Sequence, residues 1–331
     1  MTGGTVAVVA NPHARGDAAG LVDQVVAEVS AGGARAVVLR SAPADAADPV
    51  PGLDDLWARD DLETVVAVGG DGTARTVAEA MARLGGLWPD GAPDHAVPGG
   101  PALVIVPGGT GNSVYRELWA DLGWREMLEA VVAGRTRRRG VDLCRIVEAD
   151  TAVLLGASTG FFRWTLDATA RFPELTGREL YLAAGAAAAE ELDAYRGSVE
   201  VDGIAIATGP IMLAAVGGAP RRSGTIHILP GAEIDDGLLD VCVLSVATRE
   251  DFFGLMARAA EGTHVGEPGA FFARGRRVVL DCDDCELPFE HDGEVPALAS
   301  STVTLEVVAH AVAVLAPTSE NDPASSSGLE N

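Results

Sequence analysis

The sequence predicts an α/β N-terminal domain built on a parallel sheet, residues 1–145, followed by a β-rich antiparallel sandwich-like domain, residues 146–310. Three observations carry this expectation. Continuous apolar runs alternate with helical apolar periods up to about residue 145, and strands apolar on both sides belong to parallel sheets covered by helices. After that point short apolar runs separated by Gly, Pro and Asp follow closely, the pattern of an antiparallel sandwich. With 331 residues, 48% hydrophobic and 22% charged, the chain is long enough to bury two cores.

Each element follows from its own stretch. "TVAVVANP" (5–12) is a buried strand ending in a turn, and 17–31 carries a helical period through Leu21, Val25, Val26 and Val29. "ARAVVLRS" (34–41) and "TVVAVGGD" (64–71) are strands, "ARTVAEAMARL" (74–84) a helix and "ALVIVPGG" (102–109) a fourth strand. The Gly, Pro and Asp of 85–100 make that segment a surface loop. In the second half, helices are expected at 161–172 and 179–194. Strands are expected at 197–206, 209–217, 226–229, 238–245, 278–283, 286–291 and 303–308. A last strand at 311–317 is expected to return to the first domain. The polar stretch 318–331 reads as a disordered tail.

Composition excludes several functions. All 24 basic residues are arginine, and the net charge is −24, which argues against a general nucleic-acid binder. Without lysine there is no Walker P-loop, whose Lys sits on the β/γ-phosphates. A phosphate must then be held by backbone amides, hydroxyls, arginines or a metal. Cys144, Cys242, Cys282 and Cys285 are scattered, so unlinked thiols in a reducing cytoplasm are expected. Cys282-Asp-Asp-Cys285 is half a zinc pattern with no second pair. No apolar stretch approaches the roughly 20 residues of a membrane span. Three arginine clusters, "GRTRRRG" (134–140), "PRRSG" (220–224) and "RGRR" (274–277), read as solvated turns, or as sites for an anionic lipid surface.

The chemistry sits in two glycine turns. "VAVGGDGTARTV" (67–78) runs from a strand through Gly69, Gly70, Asp71 and Gly72 to Thr73 and a helix. Glycines there admit positive φ and close approach of a ligand, and a helix start beside glycine amides suits an anion. Asp71 either polarises a hydroxyl, helps a metal, or caps the helix. "VIVPGGTGNSVYREL" (104–118) repeats the layout at the same end of the sheet. The dinucleotide pattern G-x-G-x-x-G fails at Arg75, which favours phosphoryl transfer over hydride transfer.

"GGDGT" followed about forty residues on by "PGGTGN" resembles the diacylglycerol kinase catalytic-domain family. That family includes bacterial soluble lipid kinases and sphingosine kinases and, more distantly, NAD kinases. The likeness extends over "VVANPHARGDA" (8–18), Arg116, Asp142, "GAPRRSGTIHILPGAEIDDGLLDVCVL" (218–244) and "FEHDGEV" (289–295). It implies an NAD kinase-like first domain and an ATP-dependent lipid kinase using Mg²⁺, with the nucleotide between domains and the acyl chains in a cleft of the β-rich half. The resemblance assigns ATP contacts to Asn11, Pro12, Arg15, Ser41, Gly69, Gly70, Asp71, Gly72, Thr73, Arg75, Gly109, Thr110 and Asn112. It assigns a Mg²⁺ to the Asp236 carboxylate with the carbonyls of Glu233 and Leu238, although an Asp-Gly hairpin turn fits "EIDDGLL" equally. A lipid hydroxyl needs a carboxylate to take its proton, and the resemblance points to Asp292 first and Glu294 next, with Asp71 assisting.

The chain departs from the family pattern at Thr73-Ala74-Arg75-Thr76, at Asn112-Ser113 and at Ala14-Arg15-Gly16. Two alternatives stay open: a small-molecule kinase of the NAD kinase type, and an inactive regulator binding lipid or nucleotide. The expected partner is a lipid substrate met peripherally at a membrane surface, with no nucleic acid; homodimer formation is left open.

Overall fold

The structure, a computed structural model, describes residues 3–12, 18–43, 46, 48–93, 96–109, 111–222 and 226–318. The chain divides into two compact units, Met1–Val141 with His310–Asn331, and Asp142–Ala309.

In chain order the first unit contains β1 (Thr5–Ala10), α1 (Ala18–Ala31), β2 (Arg35–Arg40), α2 (Leu53–Trp57), β3 (Leu62–Gly69), α3 (Asp71–Leu84), β4 (Ala102–Pro107), α4 (Ser113–Trp119) and α5 (Trp124–Val132). β5 (Thr136–Ile146) runs on into the second unit. The sheet order is β2-β1-β3-β4, with every pair parallel. Val6–Val9, Val65–Val68 and Leu103–Val106 are buried along their whole runs, as strands covered on both faces must be. α3 turns Val77, Ala78 and Met81 inward, at the i, i+1, i+4 spacing of one helix face.

The second unit continues with β6 (Thr151–Val153), β7 (Ala157–Gly160), α6 (Phe161–Ala168), α7 (Gly177–Glu191), β8 (Tyr195–Val201), β9 (Ile204–Ile211), β10 (Leu213–Gly217), β11 (Leu239–Leu244), α8 (Arg249–Glu261), β12 (Ala270–Gly275), β13 (Arg277–Cys282) and β14 (Phe289–His291). The long strand β15 (Thr302–Pro317) follows. Its start pairs antiparallel with β13 in this unit, and its Val314 lies parallel beside Leu103 of β4 in the first. A five-stranded sheet runs β12-β11-β10-β7-β14, antiparallel throughout. Its alternation sorts the core. Ala214, Val216, Val241 and Val243 face one way, to pack with Val199, Val278 and Leu305 from β8, β13 and β15. Leu213, Ala215, Cys242 and Leu244 face the other way, against Phe161, Ala184, Ala188 and Phe252 of the helices. This is the period-two division of strands covered on both faces.

Several local expectations are corrected. The runs 197–206 and 209–217 are cut differently, because Asp202 and Gly203 both take positive φ, 49° and 81°, and make the two-residue hairpin between β8 and β9. Residues 226–229 contribute one β-bridge, Arg222 with Ile226, rather than a strand, and 286–291 shortens to β14. Strands expected at 303–308 and 311–317 are one. α8 and β12 were not expected. Arg137, Arg138 and Arg139 lie inside β5 rather than in a turn before it. Cys282 and Cys285 are joined in a disulfide, where unlinked thiols were expected, while Cys144 and Cys242 are free and buried. Of the expected tail at 318–331, all but Thr318 lies outside the described residues. Among the described residues no helix is long and apolar enough to cross a membrane.

Candidate functional site

Parallel pairing puts Gly69, the last residue of β3, opposite Pro107, the last of β4, so the two glycine turns leave the sheet side by side. They interlock. Gly108 N–H donates to Gly69 O at 2.8 Å. A methyl group built on Gly109 would come within 2.5 Å of Gly70 Cα, and one on Gly108 within 3.3 Å of Gly69 Cα. None of Gly69, Gly70, Gly72, Gly108 or Gly109 takes positive φ. Of the two reasons expected for these glycines, positive φ is absent; at Gly70, Gly108 and Gly109 a missing Cβ lets one turn approach the other.

Polar side chains tie the corner together. Asp71 opens α3 but serves α4: its Oδ2 accepts the Ser113 N–H and its Oδ1 the Val114 N–H, each at 3.0 Å. The N-cap of α3 itself is Gly70, which offers no side-chain cap. Asn112, in the left-handed region at φ 52°, folds onto Gly109. Its Oδ1 accepts the Gly109 N–H at 2.9 Å, and its Nδ2 donates to Gly109 O at 2.8 Å. Asn11 Nδ2 donates to Thr73 Oγ1 at 3.1 Å, and Gly72 O accepts from Thr76 Oγ1 at 3.0 Å. Ser41 is buried, and its N–H donates to Ala10 O at 2.9 Å. Pro12 is exposed. Arg75 is only 4% exposed, and an arginine at that depth is held by the protein's own partners. Arg15 and Thr110 lie outside the described residues.

The Asp-Gly-Glu segment forms a second, separate arrangement in the other unit. Asp292 (φ 51°) and Gly293 (φ 78°) make a two-residue hairpin closed by His291 N–H to Glu294 O at 3.0 Å and Glu294 N–H to His291 O at 2.8 Å. The Asp292 carboxylate is buried and accepts three consecutive amides: Leu154 at 2.9 Å, Leu155 at 2.8 Å and Gly156 at 3.3 Å. The Asp292 N–H returns a bond to Gly156 O at 3.0 Å. Burial alone would raise the pKa of Asp292. The His291 ring, with Nδ1 3.7 Å from Asp292 Oδ2, and the amides of Leu154 and Leu155 outweigh it and hold the pKa below the usual range. Glu294, two residues on, is exposed.

Beneath this hairpin lies a buried group that sequence reasoning missed. Glu290 stands opposite Ser158 in the β14–β7 ladder; its carboxylate meets the Ser158 hydroxyl and accepts the Gly293 N–H at 3.1 Å. Burial pushes the Glu290 pKa up, against the Arg222 charge and these hydrogen bonds. Arg222 belongs to the "PRRSG" cluster expected at the surface, yet it is 9% exposed, and its guanidinium donates to Val216 O at 2.8 Å. The guanidinium fills the space a Cβ on Gly156 would take. Glycine at 156 and arginine at 222 are thus one steric unit, which spacing along the chain does not reveal.

In the Glu233–Asp240 run, Asp142 Oδ2 accepts the Gly237 N–H at 2.7 Å, and the Asp142 N–H donates to Ile234 O at 2.8 Å. Asp236 Oδ1 accepts the Leu238 N–H at 3.0 Å, while its Oδ2 pairs with the Arg274 guanidinium. Arg274 Nε lies 3.0 Å from Asp240 Oδ1. Asp240 Oδ2 is buried with no hydrogen-bond partner among the described residues. The Glu233 carbonyl faces the α-carbon side of Gly218. Mg²⁺ asks for near-octahedral oxygen ligands. Both Asp236 oxygens instead face donors, one of them a fixed cation. These residues do not fit a Mg²⁺ centred on Asp236.

The first unit is thus a covered parallel sheet with paired glycine turns at its strand ends, and the second is built on antiparallel strands. Comparison with known proteins narrows this. Residues 5–146 match the diacylglycerol kinase catalytic domain, and residues 158–316 match the YegS C-terminal NAD kinase beta sandwich-like domain. The protein named "Probable lipid kinase YegS-like" from Pseudomonas aeruginosa is 31% identical over 70% of this chain and 70% of its own. A diacylglycerol kinase of Staphylococcus carnosus is 21% identical over 71% of each. The crystal structure of a diacylglycerol kinase from Bacillus anthracis has the same fold, with a TM-score of 0.64, 17% identity, and 97% of each chain covered. The chain belongs to the diacylglycerol kinase family and is a lipid kinase.

Proposed function

We propose that this kinase transfers the γ-phosphoryl group of ATP, carried as its magnesium chelate, to the hydroxyl of a diacylglycerol-like lipid at a membrane surface. Membership of a kinase family supports ATP as donor, and the names of the relatives support the lipid. In phosphoryl transfer the protein mostly positions the reactants and offsets charge. The interlocked turns Gly69–Thr73 and Gly108–Asn112 are suited to the donor. They give amides at the start of α3, the Thr73 hydroxyl and the Asn11 side chain, and they are stiff because Asp71 and the Gly108–Gly69 bond tie them together while Asn112 braces the second turn on Gly109. No lysine is needed for such a cradle.

The acceptor hydroxyl must lose a proton as the new P–O bond forms. The one observation that carries the assignment is the set of three amides, Leu154, Leu155 and Gly156, closed on the Asp292 carboxylate. A carboxylate so occupied and so acidic is a poor proton acceptor; it is an anchor. Glu294, exposed on the hairpin that Asp292 fixes, takes the proton. The order in which the two acids were expected is thereby reversed.

Transfer of labelled phosphate from ATP to a panel of extracted lipids tests the proposal. Label is expected in a neutral diacyl glycerolipid and lost in Glu294→Gln. Phosphorylation of NAD instead of lipid, or ATP binding with no acceptor in the panel, overturns it.

A further inference from the structure

The Glu233–Asp240 run carries four acids, and two of them, Asp236 and Asp240, turn their carboxylates toward one place, where something must balance them. β11 and β12 are antiparallel with Asp240 directly opposite Arg274. From that place the Arg274 guanidinium reaches both carboxylates, with Nε 3.0 Å from Asp240 Oδ1 and its terminal nitrogen on Asp236 Oδ2. Asp236 meanwhile closes its own turn through the Leu238 N–H at 3.0 Å, and Gly237 takes φ 72°, bending the chain so that Asp236 and Asp240 face one side. Asp142, from β5, holds the Gly237 N–H. The two carboxylate side chains are 20% exposed at Asp236 and 12% at Asp240, so solvent screens them poorly.

A divalent cation in such a turn would join the carboxylates and fix the loop to the sheet. A guanidinium can do both. It is planar, always charged, and offers a rigid fork of donors that matches carboxylate oxygens. It is also covalently part of the chain, so it leaves with neither dilution nor a chelator. The geometry points to Arg274 as the built-in cation of this turn: in this protein a guanidinium does the work for which the sequence resemblance implies Mg²⁺, and folding of the second unit needs no divalent ion. This inference is independent of the proposed reaction, since it concerns stability and not turnover.

The test is thermal unfolding of the nucleotide-free full chain in EDTA and in millimolar MgCl₂, beside Asp236→Asn and Arg274→Gln. The wild-type midpoint is expected to be the same in both buffers, and Arg274→Gln is expected to lower it by about 3–8 °C. A magnesium-dependent rise in the wild-type midpoint that Asp236→Asn removes overturns the proposal. So does an Arg274→Gln chain as stable as wild type. A rise that Asp236→Asn leaves intact comes from another place and also counts against it, since the midpoint then depends on a divalent ion. Should Arg274→Gln fail to fold, calorimetric titration of the wild type with MgCl₂ decides: heat from a site lost in Asp236→Asn overturns the proposal, and its absence supports it.

Discussion

Asp71 and Ser113 are joined across 42 residues: the acid that opens α3 accepts, at 3.0 Å, the first amide of α4. With Val114 on its other oxygen, Asp71 does for α4 what an N-cap residue does for its own helix, and adds negative charge at the positive end of that helix. Asp71→Asn keeps the shape but turns an amino group toward one of the two amides. The variant is expected to lose about 1–2 kcal/mol of stability, measured by urea unfolding, and to bind ATP more weakly because the two turns lose their fixed spacing. An unchanged urea midpoint would show that the bond across the turns carries no weight.

Gly109 tests the interlocking directly. Alanine there places a methyl group 2.5 Å from Gly70 Cα, backbone that cannot rotate out of the way, and overpacking of this kind costs about 1–3 kcal/mol. Gly254, inside α8, has nothing within 4 Å of a new methyl group. Gly254→Ala should stabilise by about 0.5–1 kcal/mol. Thermal melts of the two variants are expected to move in opposite directions. If Gly109→Ala melts like wild type, the turns are looser than their backbone distances require.

Much of this was legible in the sequence, for physical reasons. The strands of the first unit are apolar on both faces, so they stand out as unbroken runs, and the glycine turns mark their ends. The Asp202-Gly203 hairpin was equally available, since Asp-Gly is the signature of that turn; the apolar residues on either side hid it within a single expected strand. Asp71 as the cap of a distant helix was not legible, because nothing local distinguishes it from a cap of its own helix. Arg222 looked like a surface arginine because its burial depends on Gly156, 66 positions earlier in the chain. The Arg274 pairing depends in the same way on strand register. What sequence conveys is period and turn chemistry; what it withholds is which long-range partner fills a given space.

The buried acids beside the hairpin give opposite pH dependences. Asp292 has its pKa lowered in the folded state, so between that value and the ordinary one near 3.9 the unfolded chain binds more protons. Its contribution is present above the ordinary pKa and is lost as pH falls through the folded one. Glu290 has its pKa raised, so its contribution is complete below the ordinary value near 4.3 and is lost as pH rises through the folded one. Asp292→Asn should flatten the acid limb of the stability profile, and Glu290→Gln should remove a decline on the side of higher pH. Urea midpoints across the acid and neutral range measure both; parallel profiles for wild type and Asp292→Asn would contradict the amide clamp.

The division of labour between Asp292 and Glu294 makes the sharpest claim about catalysis. Glu294 is exposed, so replacing it with glutamine keeps the size of the side chain and its exposure and removes the carboxylate. Loss of a general base typically lowers turnover by about 10²–10⁴-fold. Glu294→Gln is therefore expected to lower kcat by that order, with KM for ATP and the melting temperature unchanged. Asp292→Asn leaves one of three converging amides facing an amino group in a buried place, at about 1–3 kcal/mol. It should lower stability together with kcat, because the hairpin that aims Glu294 is no longer held. Kinetics and melts on the same two preparations separate the roles. If Asp292→Asn melts like wild type and loses more turnover than Glu294→Gln, Asp292 is the base and Glu294 its neighbour.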